Sequence, residues 1–148
     1  MNGERCPVTM KIMLLTAATG GGHIRTANAV EEYIRDNTPY DVVTVDTLKA
    51  VGRLLDKTVC DSYLFMAKKA PALFGRLYKQ TNKQNRFSDL VPKLSGLFSN
   101  LLYPTVEQYG PDVIVTTHPF STEMAAALKA DGLVTAPLIC IITDYGAH

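Results

Sequence analysis

A chain of 148 residues with 15 basic and 14 acidic side chains, formally +1, has the size of one domain with its own core. The even charge balance argues against a generally basic nucleic-acid binder. The cysteines, Cys6, Cys60 and Cys140, are odd in number and widely spaced, which excludes a disulfide framework and any zinc or redox motif.

Reduced thiols in a bacterial-type cytosolic protein are therefore expected, with Cys140 in the core because its surroundings are so apolar. No apolar stretch approaches the ~18 residues of a membrane span. Residues 1–9, MNGERCPVT, read as a disordered leader. Lys11 followed by IMLLTAA faintly resembles a signal peptide, but it runs into glycines and a helix instead of a cleavage site.

Lys11–Ala17 reads as a buried strand. It feeds TAATGGGHIRT, where Gly20, Gly21 and Gly22 permit a sharp turn with uncovered N–H groups. A helix over Ile24–Asp36 follows, with Ile24, Ala27, Val30 and Ile34 at helical spacing. Its positive end faces whatever lies over the loop, so His23 stands where an anionic or polar ligand, a phosphate or a sugar, would bind. The spacing fits neither a dinucleotide fingerprint, since Arg25 stands in place of the last glycine, nor a Walker loop, since no Gly-Lys-Ser/Thr follows. The plainer alternative is a tight strand-to-helix turn with His23 as an incidental cap.

Asp41–Val45 is a second strand, after a break at Asn37-Thr38-Pro39. Some 60 residues then separate it from the third, far more than a crossover helix needs. From Lys57 to Lys93 this insert holds Lys57, Lys68, Lys69, Arg76, Lys79, Lys83, Arg86 and Lys93, opposed only by Asp61 and Asp89. The stretch thus carries +6 and the rest of the chain −5. Leu64, Phe65, Phe74 and other aromatics and leucines are interleaved, the composition of a segment at an anionic lipid surface. A helical subdomain with a solvated basic face is the plain alternative, and nucleic acid a third.

Pro111 ends the helical stretch that closes the insert, and Asp112–Thr117 is the third strand. An Ala-rich helix over Phe120–Ala130 begins at Pro119 or Ser121, and Pro137–Thr143 is the fourth strand. All four strands are apolar throughout, as parallel strands covered on both faces are. The expected fold is α/β: a Rossmann-like, doubly wound parallel sheet with flanking helices and a long helical insert over about 48–108. Such sheets bind ligands at their carboxyl edge, which gathers Thr19–His23, His118-Pro119 and Thr143–His148. Taken singly, His118 and His148 read more readily as capping or packing residues than as catalysts; their shared edge makes them site candidates. No motif has metal-ligand spacing.

The TGGGH loop, KKAPALFGRLYK, PDVIVTTHPF and the closing TDYGAH together resemble the N-terminal domain of monogalactosyldiacylglycerol synthases and of the processive diacylglycerol glucosyltransferases. More distantly, the chain is similar to the transferase that adds N-acetylglucosamine to lipid I. The resemblance covers residues 10–148 and implies the N-terminal, acceptor-binding half of a two-domain GT-B glycosyltransferase, with the donor-binding domain absent from these residues. It implies transfer of a hexose from UDP-glucose or UDP-galactose to diacylglycerol, at the cytoplasmic face of the cell membrane, by a peripheral protein that meets anionic lipids.

By matching position, His23 is the expected general base; Gly20, Gly21, Gly22, His118, Asp144 and His148 are expected to bind substrate. Leu64, Phe65, Lys68, Lys69, Phe74, Arg76 and Lys79 are expected to face the membrane and the lipid acceptor. No motif here demands a metal, and no cofactor is expected, UDP-sugar being a donor substrate. A positive helix end favours the neutral form a histidine base needs, and a hydroxyl is a poor nucleophile until its proton is accepted. The 148 residues alone are expected not to transfer sugar. A lipid I transferase-like enzyme, or a non-catalytic module docking on a membrane or partner, are the alternatives.

Overall fold

A computed structural model describes residues 9–18, 21–52 and 90–143, with side chains of the last stretch from Phe98 onward. The elements are β1 (Lys11–Thr16), α1 (Gly21–Asn37), β2 (Asp41–Asp46), α2 (Thr47–Gly52), α3 (Leu90–Tyr109), β3 (Val113–Thr116), α4 (Pro119–Ala130) and β4 (Leu138–Cys140). The strands form one sheet in the order β2-β1-β3-β4, every pair parallel. Register runs Leu14 to Thr44 on one side of β1 and Leu14 to Val115 on the other.

Successive side chains of a strand point to opposite faces, so an all-apolar strand needs cover on both. Met13 and Leu15 enter one core with Val51, Leu102, Val106, Ile114, Met124 and Leu128, from α2, α3, β3 and α4. Ile12 and Leu14 enter a second core with Val42 and Val115, against which Val30 and Ile34 of α1 pack. The two alternating sets of β1 thus account for helices on both faces, and the doubly wound α/β expectation is met.

Boundaries differ from the sequence reading in instructive ways. Helix α1 starts at Gly21, so Gly21 and Gly22 form its first turn and do not belong to the preceding loop. Neither glycine has a positive φ; that conformation belongs to Gly110 (φ 62) and Gly132 (φ 72), just beyond α3 and α4. There the left-handed backbone returns an N–H to the helix, Gly110 to Val106 at 2.9 Å and Gly132 to Lys129 at 3.1 Å. Strand β4 is only three residues long. It is the sheet's edge among the described residues, and Ile139 (52% exposed) and Ile142 (65%) lie open. Cys140, expected in the core, is exposed for the same reason: its strand has a neighbour on one side only. The leader expected over residues 1–9 falls, apart from Thr9, outside the described residues. The two ends of the insert are helical, as α2 and α3, and residues 53–89 between them also lie outside.

Candidate functional site

The chain winds outward from β1 to β2 and later from β3 to β4, so the switch in direction falls between β1 and β3. Ligand crevices of doubly wound sheets open at that point, beyond the strands' carboxyl ends. The residues there are those that follow β1 and β3, and both stretches carry a histidine.

His23 is the third residue of α1, and its ring reaches across to β3. Nδ1 lies 2.7 Å from the Thr117 carbonyl oxygen and 2.6 Å from the Thr143 hydroxyl, which itself donates to that carbonyl at 3.1 Å. Thr117 also grips the helix start from its side chain, donating to the His23 carbonyl at 3.1 Å, while its hydroxyl sits 3.0 Å from that of Thr16. His118 is the N-cap of α4: its extended backbone (φ −132, ψ 135) precedes Pro119 at the first helical position, and its Nδ1 accepts the Phe120 N–H at 3.1 Å. The two imidazoles pack edge to face, with centroids 4.4 Å apart and planes at 72°.

Below the histidines lies a buried hydroxyl ladder. Thr47, at the start of α2, donates to the Thr16 carbonyl at 2.9 Å and accepts from Ser121 of α4 at 2.9 Å. Thr116 and Thr122 pair at 2.7 Å, and Thr122 also donates to the His118 carbonyl at 3.1 Å. Thr16, Thr47, Thr116, Thr117 and Ser121 are all buried. Hydroxyls in such a place are satisfied internally and hold the strand ends and helix starts in register.

Of the expected site residues, the structure brings His23 and His118 together, with Gly21 and Gly22 in the turn leading to His23. Among the described residues, a Cβ at Gly22 would meet nothing within 4 Å, and one at Gly21 only the Arg25 side chain at 3.9 Å. Gly20, Asp144 and His148 lie outside the described residues, as do Leu64, Phe65, Lys68, Lys69, Phe74, Arg76 and Lys79. Thr117 and Thr143 were missed as partners of His23. The available signal was that both are polar residues at the end of otherwise apolar runs, VIVTT and LICIIT. Among the described residues no group of acids, histidines or cysteines could hold a metal ion, and no helix is long and apolar enough to cross a membrane.

The described residues thus form a doubly wound α/β domain in which two histidines meet beyond the carboxyl ends of β1 and β3, the edge at which such sheets bind ligands. The family model of monogalactosyldiacylglycerol (MGDG) synthase matches residues 23–148, and the chain belongs to this family. Two rice proteins are similar to it, each named probable monogalactosyldiacylglycerol synthase 2, chloroplastic, from Oryza sativa subsp. indica and subsp. japonica. Each is 25% identical over 146 residues, covering 96% of this chain and 31% of its own. The chain therefore spans about a third of the length of these curated relatives. No solved structure matches it.

Proposed function

We propose that this chain is the acceptor-binding half of a GT-B glycosyltransferase that moves a hexose from a UDP-sugar to diacylglycerol at a membrane surface. Membership of the MGDG synthase family supports the reaction class. The observation that carries the assignment to this site is the contact between His23 Nδ1 and the Thr117 carbonyl. A carbonyl oxygen can only accept, so the neutral ring holds its proton on Nδ1 and its basic nitrogen is Nε2.

In this reading Nε2 takes the proton of the diacylglycerol hydroxyl as its oxygen attacks the anomeric carbon. The bond from that carbon to the UDP oxygen breaks, and UDP leaves with the electron pair. One base on the acceptor side suffices for inversion, with no covalent intermediate. Among the described residues nothing lies within 4 Å of a Cβ placed at Gly22, which is compatible with a substrate group approaching the helix start. We assign lipid contact to the basic, aromatic stretch from Lys57 to Lys93, where each basic residue near an anionic surface contributes about 1 kcal/mol.

The test supplies the full-length gene product with labelled UDP-glucose or UDP-galactose and diacylglycerol in anionic vesicles, followed by chromatography of the lipids. A labelled glycolipid from either donor is expected and identifies the sugar. His23→Ala should lower kcat by roughly 100-fold or more. Near-normal turnover by that variant would remove His23 from the mechanism.

A further inference from the structure

Thr143 lies three residues beyond the end of β4, yet its side chain reaches the start of α1. The hydroxyl sits 2.6 Å from His23 Nδ1 and donates to the Thr117 carbonyl at 3.1 Å. That carbonyl lies 2.7 Å from the same Nδ1, so the three atoms close a triangle. A hydroxyl has one hydrogen and two acceptor sites. The hydrogen of Thr143 goes to the carbonyl, and its oxygen therefore faces Nδ1 as an acceptor. One ring N–H is shared between two oxygens, in a three-centre bond.

The second oxygen changes what the first can do. The outer torsion of a histidine side chain is broad, so a single acceptor at Nδ1 leaves the ring a range of rotations. Two acceptors on separate segments leave one. The segment carrying Thr143 is itself anchored, because Ile141 N–H donates to the Thr116 carbonyl at 2.8 Å. Threonine suits the task, since branching at Cβ restricts its first torsion and holds the hydroxyl in place.

We propose that Thr143 is a positioning residue for His23, its hydroxyl completing the acceptor pair that keeps the proton on Nδ1 and fixes the rotation of the ring. The end of the edge strand thereby sets the state of a side chain that belongs to α1, on the far side of β3 in the chain's winding. Thr143 touches no reacting atom in this role and acts through His23. The consequence for turnover rests on the reading of His23 as base; the consequence for the ring does not.

The test labels the chain with 15N-histidine and follows, by NMR, exchange of the His23 Nδ1 proton with water, the three histidines being assigned by single substitutions. In the parent this proton should be present on Nδ1 and protected; its absence would overturn the proposal. Thr143→Val keeps the shape but loses the hydroxyl, and should speed exchange roughly tenfold, the worth of one net hydrogen bond. Thr143→Ser retains the hydroxyl and should restore most of the protection. Exchange as slow in the valine variant as in the parent would reduce Thr143 to a strap between β4 and β3, visible only in the unfolding midpoint. If the valine variant fails to fold, Thr143→Ala, which adds no bulk, carries the same comparison. In the full-length gene product Thr143→Val should lower kcat roughly tenfold and leave KM for diacylglycerol near the parent value; a rise in KM alone would overturn the positioning role. Faster exchange restored by serine, in a protein whose full-length form transfers no sugar, would support the positioning of His23 and refute the glycosyltransferase reading.

Discussion

Replacing Thr47 by valine tests whether the buried hydroxyl ladder holds the crevice together. The two side chains have nearly the same shape, so the substitution removes a hydroxyl without opening a cavity. Thr47 is fully buried, and its hydroxyl makes two bonds, to the Thr16 carbonyl and to Ser121, both at 2.9 Å. Without it, two buried polar groups each lose a partner. An orphaned buried group costs about 1–3 kcal/mol, so Thr47→Val should destabilise by about 2 kcal/mol. For a chain of this size, that lowers the thermal midpoint on the order of 5 °C by circular dichroism. Ser121→Ala should cost less, because alanine regains a few tenths of a kcal/mol in helix propensity. The double variant removes both partners of one bond together and should be less destabilised than the sum by about 1 kcal/mol. Additive effects, or a Thr47→Val protein as stable as the parent, would refute the idea that these hydroxyls lock β1 to α4.

Leu102→Ala, at a fully buried position of α3 in the larger core, should cost about 2–5 kcal/mol in urea unfolding; a loss below ~1 kcal/mol would mean that α3 does not pack as described. His118→Ala removes the α4 cap and should cost about 1 kcal/mol, regained in His118→Asn, as chemical denaturation would show. Desolvation raises the Glu123 carboxyl above its ordinary value although the residue as a whole is exposed. The folded state therefore binds this proton more tightly than the unfolded one. Its stability contribution is full below the unfolded value of 4.5 and is lost as pH rises through the higher folded value. Glu123→Gln should accordingly flatten that part of the stability–pH curve and stabilise the protein at neutral pH; an unchanged profile would contradict it.

The sheet was legible because the physics of its strands is local. KIMLL, DVVTV and DVIVT lack polar alternation, and only strands covered on both faces are built that way. The start of α1 was misplaced because three consecutive glycines read as a loop, whereas two of them continue the helical backbone. Cys140 was misjudged because burial depends on how many neighbours a strand has, which a short apolar run does not reveal. The histidines were legible as candidates from their position after strands. What they do to one another was not, since His23 meets Thr117 across 94 residues and Thr143 across 120. Pattern reading orders residues along an edge; it does not say which ring nitrogen meets which carbonyl.

The order β2-β1-β3-β4 also governs when the crevice comes into being. Pairing β1 with β2 joins Lys11 to Asp41 across 30 residues, a loop largely occupied by α1. Pairing β1 with β3 brings Thr16 and Thr117 together across 101 residues, which raises the loop-closure cost by roughly 1 kcal/mol. Long-range parallel pairing is slow to form. His23 belongs to the short-range β1–α1–β2 unit, whereas its carbonyl partner follows the distant strand β3. The orientation of the His23 ring therefore depends on the longer-range of the two pairings and is complete only once β3 has joined β1.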